Sequence, residues 1–144
     1  TLAIEDLFNN IHRLMKSQLD ENKIAISIRV VPSYLSGNLD SVYLEQMLIN
    51  LVQNAIEALQ SVVDPIIALS AYLDQYSRLV IEVEDNGIGI RPEMADQLFT
   101  PFFTSKSDGT GIGLFLVKQI VLAHDGSIGV INKPNAGTIF RVVT

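Results

Sequence analysis

Hydrophobic residues change their spacing several times along the chain, and the order of these changes limits the folds open to it. Some segments carry apolar residues every three or four positions, as helices do, and others alternate apolar and polar residues, as strands do. The predicted elements are, in chain order, a helix over 1–20, a strand over 24–30, a helix from Asp40 or Ser41 to about Leu59, strands over 66–73 and 79–84, a helical turn over 94–98, a helix from about Gly111 to His124, and strands over 127–131 and 138–143. The strands over 66–73 and 79–84 are close in sequence, so we expect an antiparallel hairpin. This inventory predicts a two-layer α/β (α+β) sandwich, with three helices on one face of a mixed sheet of about five strands.

The composition is that of one globular domain. With 144 residues, 48% of them hydrophobic, the chain is long enough to bury one core. It has no cysteine, which excludes disulfides and thiol catalysis, and a net charge of −6 without a basic window argues against nucleic-acid binding. No apolar run is long enough to cross a membrane, and the start does not resemble a signal peptide. Because the chain lacks an initiator Met, we expect residues 1–144 to be a single domain of a longer protein.

The second predicted helix carries a polar stripe on one face. The stripe consists of Gln46, Asn50, Asn54 and Glu57. Its ordinary interpretation is a solvated face, but asparagine is unfavourable inside helices, and here two lie one turn apart. The neighbours Ile49 and Ile56 are large and apolar, so we expect the stripe to be shielded from water. A shielded amide needs a partner, and an amide oxygen can ligate Mg²⁺, which in turn binds phosphates.

A glycine-containing segment, 85–90, directly follows a predicted strand. It is either an ordinary Asp-Asn-Gly turn or a base-binding loop. An ionised carboxylate such as that of Asp85 only accepts hydrogen bonds, so it matches the adenine amino group and repels the guanine carbonyl. Gly87 and Gly89 would let the backbone come close to a flat base. On this interpretation the segment selects adenine.

A second glycine-rich segment, 109–114, precedes the third predicted helix. Glycines there let N–H groups point inward, and a helix N-terminus adds positive potential, so phosphate is the expected ligand. The pattern is neither a Walker A loop nor a dinucleotide fingerprint, and alone it is a weak signal. Lys106 lies just upstream and could place a positive charge beside a terminal phosphate. The phenylalanines of 99–106 either anchor this segment to the core or form a latch over bound nucleotide.

Taken together, these segments resemble the histidine-kinase branch of the gyrase, heat-shock-chaperone and mismatch-repair ATPase superfamily. The matching segments are 50–55 (N box), 85–89 (G1 box), 99–106 (F box), 109–114 (G2 box) and 136–140 (a last, weaker motif). Four boxes in this order and spacing are far more specific than any one of them, and the resemblance extends from about Leu35 to Phe140. The lid, the segment between the two glycine-containing segments, is short and includes the Phe-Phe-Thr-Ser-Lys of 102–106. In these features the chain is most similar to nitrogen-regulation and oxygen-sensor kinases. The resemblance implies the Bergerat ATP-binding fold.

The resemblance also implies a site for ATP and Mg²⁺. It implies that Asn54 ligates Mg²⁺, that Asp85 binds the adenine amino group and that Thr138 supports Asp85. It further implies that Lys106 and the N–H groups around Gly111 and Gly113 hold phosphates. The residues implied to bind ATP are Asn50, Asn54, Asp85, Gly87, Gly89, Ile90, Phe103, Thr104, Lys106, Gly109, Thr110, Gly111, Ile112, Gly113, Leu114 and Thr138.

Two positions depart from related patterns. Gyrase-like ATPases have a glutamate as general base one turn before the metal-binding asparagine, and this chain has Asn50 there. Because an amide is not a useful base, rapid ATP hydrolysis is not expected. Many histidine kinases have a basic residue where this chain has Glu57, so Lys106 would carry more of the phosphate contact.

Neither histidine lies in a context that resembles a phosphoacceptor motif. His12 lies in the first predicted helix, and His124 ends the third, where a histidine suits the helix dipole. We interpret both as structural. The chain is therefore expected to hold no catalytic residue of its own, and the phosphoacceptor histidine is expected outside it.

The function implied by the resemblance is that of an ATP-dependent protein-histidine kinase domain. It would transfer the γ-phosphate to a histidine on the dimerisation domain of the same parent protein, with a response regulator downstream. We expect a cytoplasmic domain without nucleic-acid or direct membrane contact, and a membrane-anchored parent is compatible with this. The alternatives are a gyrase- or chaperone-type ATPase, a nucleotide-dependent partner-binding module, and a serine kinase like the anti-sigma-factor kinases.

Overall fold

The computed structural model describes residues 1–101, 112–133 and 136–144 of the chain. Its elements are β1 (Leu2–Ala3), α1 (Ile4–Glu21), β2 (Ala25–Val31), β3 (Ser36–Gly37), α2 (Ser41–Ala58), β4 (Ile66–Leu73), β5 (Leu79–Asp85), a 3₁₀ helix (Pro92–Gln97), α3 (Gly113–Ala123), β6 (Ser127–Lys133) and β7 (Gly137–Val143). Every element predicted from residue spacing is present. The pair β1 and β3 was not predicted, because strands of two residues show no periodicity. The predicted start of the third helix, Gly111, lies outside the described residues, and α3 begins at Gly113.

A mixed sheet of five strands forms one layer, in the order β2-β4-β5-β7-β6. Strand β2 is parallel to β4, and the other neighbours are antiparallel, including the predicted β4–β5 hairpin. One face of the sheet is apolar and belongs to the core that the helices cover. Its buried side chains in β4, β5 and β7 include Ile67, Leu69, Ile81, Val83, Phe140 and Val142. The predicted two-layer α/β architecture is therefore confirmed.

Helix α2 lies at the centre of the helical layer. It begins after Asp40, whose carboxylate accepts hydrogen bonds from the backbone N–H groups of Val42 at 3.0 Å and Tyr43 at 3.2 Å. Such a cap satisfies N–H groups that have no partner within the helix. The apolar stripe of α2 is buried against the sheet and the other two helices; it consists of Leu44, Met47, Leu48, Leu51, Val52, Ala55 and, just after the helix, Leu59. This packing fixes the opposite, polar stripe relative to the sheet.

The opposite face of the sheet carries a polar cluster instead of helices. In its centre, Glu82 accepts hydrogen bonds from the Tyr72 hydroxyl at 3.0 Å and from Arg141 Nε at 2.5 Å. These side chains cover Val80, which is buried on the same face. Within the described ranges, no helix is long and apolar enough to cross a bilayer.

Candidate functional site

The polar stripe of α2 is only partly shielded. Asn50 and Asn54 are half-buried, whereas Gln46 and Glu57 are exposed. The prediction that the stripe is shielded from water is therefore correct for its middle and wrong for its two ends. The reason is that the first turn of α3 lies over the middle of α2: a Cβ added to Gly113 would be 3.6 Å from Asn50 Oδ1.

Asn50 holds a buried polar atom without a partner. Within the described structure its Nδ2 is inaccessible to solvent and makes no hydrogen bond. A buried amide donor left unpaired costs about 1–3 kcal/mol, so folded proteins rarely keep one without a reason. The atom lies beside the N-terminus of α3, where N–H groups favour an anion. An acceptor such as a ligand oxygen would satisfy it.

Asp85 is a buried carboxylate at the end of β5. Its side chain is 3% exposed and lies on the helix-covered face, next to Thr138 of β7, which is also 3% exposed and pairs with it across the strands. The N–H of Gly87 donates to Asp85 Oδ1 at 2.9 Å. Burial raises the pKa of Asp85, the Gly87 N–H lowers this pKa in part, and the nearby charge of Glu84 raises it. Asp85 and Thr138 are therefore direct neighbours across the two strands, and the supporting role of Thr138 stays a prediction.

The glycines of the segment after β5 are required by close backbone contacts. A Cβ on Gly87 would lie 2.7 Å from the carbonyl oxygen of Ala58, at the C-terminal end of α2. Gly89 has a φ of +80°, and Gly137 has a φ of +120°, with its Cβ position only 1.8 Å from the carbonyl oxygen of Asp85. Only glycine fits such positions without strain. The structure therefore brings the 85–90 segment against both α2 and β7.

Two asparagines that were not predicted as site residues hold the 85–90 segment. Asn86 accepts from the Ile66 N–H at 2.7 Å and donates to the Asp64 carbonyl at 3.0 Å. Asn132 of β6 accepts from the Ile90 N–H at 2.8 Å and donates to the Ile90 carbonyl at 2.5 Å. A signal for Asn132 exists in the sequence, because it is polar at a position where the alternation of β6 would place an apolar residue facing the helices.

Phe99 anchors the beginning of its segment to the core. Its ring packs edge-on against Phe140, with the ring centroids 6.2 Å apart. The ammonium of Lys118 in α3 lies 5.6 Å from the centre of the same ring. Of the two roles considered for the phenylalanines of 99–106, Phe99 therefore has that of a core anchor.

Six predicted site residues lie outside the described residues: Phe103, Thr104, Lys106, Gly109, Thr110 and Gly111. The other ten are described. Of these, Asn50 and Asn54 lie on α2, Gly113 and Leu114 begin α3, and Ile112 precedes it. The rest lie in β5, in the segment after it and in β7; they are Asp85, Gly87, Gly89, Ile90 and Thr138. The contacts at Asn50 and Ala58 bring α3 and the 85–90 segment to the same helix, α2.

Residues 39–144 match the family model of histidine kinase-, DNA gyrase B- and HSP90-like ATPases. The chain belongs to this ATPase family. Its motifs from the second helix to the last strand all lie within the matched range, in agreement with the family resemblance seen in the sequence.

Within this family, the ATPase domain is similar to sensor histidine kinases. The C4-dicarboxylate transport sensor protein DctB of Rhizobium meliloti (strain 1021) is 36% identical over 140 residues, which are 97% of this chain and 22% of that protein. The catalytic domain of histidine kinase ThkA superposes with a TM-score of 0.86 and 29% identity, over 99% of this chain and 91% of that one. Full-length ShkA in complex with AMPPNP superposes with a TM-score of 0.84 and 27% identity, over 99% of this chain and 30% of that one. ThkA has also been solved in complex with the response regulator TrrA, with a TM-score of 0.83 and 27% identity, over 99% of this chain and 40% of that one.

The ATPase domain spans 22–30% of the length of the first curated relatives that it matches. The expected fold, that of a histidine-kinase catalytic domain, is confirmed by the superpositions.

The two histidines of the ATPase domain lie in or at the end of helices. His124 ends α3; its Nδ1 lies 2.9 Å from the Ile120 carbonyl, and its Nε2 accepts from the Asp40 N–H at 3.3 Å. Through these two contacts the ring links the end of α3 to Asp40, the cap of α2. His12 is half-buried within α1. The contacts of His124 agree with the structural role predicted for it, and the role predicted for His12 stays a prediction.

Proposed function

We propose that this chain is the ATP-binding catalytic domain of a longer sensor histidine kinase. It binds Mg-ATP and donates the γ-phosphate to a histidine on the dimerisation domain of the same parent protein, and a response regulator then receives the phosphate. The domain acts in the cytoplasm, without contacting nucleic acid or the bilayer. The observation that carries the proposal is the buried, unpaired Nδ2 of Asn50 beside the first turn of α3.

The adenine end of the proposed site is built on Asp85. In its ionised form the carboxylate accepts from the adenine amino group, and Thr138 beside it supports this contact. Burial strengthens such a hydrogen bond, because water does not compete for either partner. Guanine would place a carbonyl oxygen against the same carboxylate, so the site prefers adenine.

The phosphate end of the proposed site lies where α2 meets the start of α3. Asn50 Nδ2 supplies a hydrogen-bond donor, and the N-terminus of α3 at Gly113 supplies positive potential. Asn54 lies one turn after Asn50 on the same face, and its amide oxygen suits Mg²⁺. When bound, Mg²⁺ would neutralise phosphate charge. The proposed phosphate contacts of Lys106, Gly109 and Gly111 belong to the part of the chain that the structure does not describe.

The role of the domain in the transfer is to position the nucleotide. Phosphoryl transfer needs an aligned acceptor and stabilised phosphate charge more than a protein base. Neither histidine lies in a sequence context that resembles a phosphoacceptor motif, so in this proposal the acceptor comes from the dimerisation domain. The amide at Asn50 cannot activate water as a carboxylate does, which favours transfer over hydrolysis.

A phosphate-transfer assay tests the proposal. The chain is incubated with Mg²⁺, γ-labelled ATP and the separately produced dimerisation domain of its parent. Label is expected on a histidine of that domain, in an acid-labile and alkali-stable form. Asp85→Asn should lower the transfer rate at subsaturating ATP by roughly tenfold or more, because one strong hydrogen bond to the base is lost.

The matched control is Asp20→Asn, which makes the same chemical change at an exposed ion pair with Lys16. This variant should transfer phosphate at the parental rate. Label on serine, or phosphate released at the same rate with and without the partner, would show that the domain is a serine kinase or an ATPase instead. Nucleotide binding without any label on the partner would show that it is a binding module.

A further inference from the structure

The 85–90 segment is held in place by side chains at both of its ends. Asn86 joins the beginning of the segment to the backbone of Asp64 and Ile66. Asn132 joins its end to the backbone of Ile90 through two hydrogen bonds, 2.8 and 2.5 Å long. Between these attachments lie Gly87, Ile88 and Gly89.

Asn132 lies in the same row of cross-strand neighbours as Asp85, the proposed adenine contact. Across the strands, Asp85 of β5 pairs with Thr138 of β7, and Thr138 pairs with Asn132 of β6. Side chains that pair in this way point to the same face of a sheet. Three polar side chains therefore lie side by side on the helix-covered face. The third, Asn132, makes the hydrogen bonds to the 85–90 segment.

The contact between Asn132 and the loop is close and uses both polar groups of the amide. A Cβ added to Gly89 would lie 2.9 Å from Asn132 Oδ1 and 3.3 Å from the Lys133 carbonyl oxygen. A side-chain amide presents one acceptor and a donor in one plane, as a peptide group does. It pairs with the N–H and carbonyl of Ile90 as the backbone of a neighbouring strand would.

Resting on the proposed function, we propose that Asn132 is a positioning residue for adenine recognition. By holding Ile90, it keeps the 85–90 segment at the distance from β7 at which Asp85, Gly87 and Gly89 face one base. Asn132 itself does not contact the nucleotide. Its loss leaves both polar groups of half-buried Ile90 without their partner, and the segment shifts relative to Asp85.

Two variants of Asn132 test this role. Asn132→Ala removes both hydrogen bonds. Asn132→Asp is nearly isosteric and keeps the acceptor for the Ile90 N–H, but places a carboxylate oxygen against the Ile90 carbonyl. Calorimetric titration of each variant with Mg-ATP and Mg-GTP should give roughly tenfold weaker ATP binding and a smaller preference for ATP over GTP. The thermal unfolding midpoint without nucleotide is measured in parallel.

The matched control is Asn10→Ala. Asn10 also makes a side-chain hydrogen bond between two elements, donating to Glu45 at 2.7 Å, but on the α1–α2 side of the molecule. This variant should unfold at a lower temperature while keeping the parental ATP affinity and base preference. A loss of base preference at Asn132 without such a loss at Asn10 separates positioning from general stability.

The possible failures are distinguishable. If Asn132→Ala and Asn132→Asp bind ATP within twofold of the parent, or lose ATP and GTP binding equally, the positioning role is wrong. If Asn132→Ala does not fold, the Asn132→Asp result decides. If the parent chain binds no ATP, or if Asp85→Asn binds it as well as the parent, the proposed function is wrong and the inference falls with it.

Discussion

At the scale of single residues, the site depends on groups that are costly to bury. Asp85 is a carboxylate with a raised pKa, and Asn50 keeps an unpaired amide donor. Polar groups in such states lower the stability of the free protein, and proteins tend to keep them where a ligand compensates the cost. Both residues could be found from the sequence, because a carboxylate ending an apolar strand and asparagines inside a helix contradict their local pattern.

The raised pKa of Asp85 predicts how stability depends on pH. A carboxyl group whose pKa is higher in the folded than in the unfolded state favours folding below the unfolded value, about 3.9, and this contribution is lost as pH rises through the folded pKa. Asp85→Asn keeps an acceptor for the Gly87 N–H and removes the buried charge. We therefore expect the variant to gain stability relative to the parent between pH 4 and pH 7.

Urea unfolding at several pH values measures this difference directly. The exposed control Asp20→Asn should show no such gain over the same range. A difference between Asp85→Asn and the parent that is constant with pH, or that shrinks towards neutral pH, would contradict the assignment of a raised pKa. An increase in stability together with weaker ATP binding would mark Asp85 as a residue retained for function.

At the scale of elements, the pairing of β5 with β7 shapes the adenine end of the proposed site. Gly137 lies where β7 begins, directly against the carbonyl of Asp85. Gly137 is part of the last motif recognised in the sequence, 136–140. That this position requires glycine, because a Cβ would collide with the Asp85 carbonyl oxygen, is visible only in the structure. Residue spacing predicts that β5 and β7 exist, whereas their pairing is decided by contacts between distant parts of the chain.

Two glycines of the β6–β7 region predict opposite effects of the same substitution. Gly137→Ala places a methyl group 1.8 Å from the Asp85 carbonyl oxygen at a φ of +120°, so it should cost about 3 kcal/mol or more of stability and weaken ATP binding. Gly129→Ala finds no atom within 4 Å of the new methyl group. It should leave ATP binding unchanged and stabilise the strand by about 0.5–1 kcal/mol.

Chemical unfolding and nucleotide titration of the two variants check this prediction. Equal stability losses at the two positions would mean that glycine is required in this hairpin for a reason other than the contact with Asp85. Parental ATP affinity in a folded Gly137→Ala protein would mean that the spacing between β5 and β7 does not set the adenine contact.

At the scale of the whole molecule, helix α2 contacts both ends of the proposed site within the residues that the structure describes. Its middle faces the start of α3, and its C-terminal end faces the segment after β5. Periodicity located every element longer than two residues, and the order of four motifs identified the family. The strand order β2-β4-β5-β7-β6 and the hydrogen bonds between Asn132 and Ile90 could not be predicted from the sequence. Both depend on which distant segments become neighbours in space.

A cavity away from Asn50, Asp85 and Gly113 provides reference residues for a ligand-binding experiment. It has a volume of about 330 Å³ and lies at the ends of α1 and α2; its lining includes Asn22, Lys23, Gln60 and Asp64. The side chains of Asn22 and Gln60 take no part in the proposed site, so they serve as internal reporters of binding away from it.

The most direct test of the shared site is a nuclear magnetic resonance titration of the isotope-labelled chain with Mg-AMPPNP. We predict that the Asn50 and Asn54 side-chain amides and the backbone amides of Gly87, Gly89 and Gly113 change together, with one dissociation constant, while Asn22 and Gln60 do not. Changes that cluster instead around Asn22 and Gln60, or that leave Asn50 and Gly87 unaffected at saturation, would contradict a single nucleotide site built on α2.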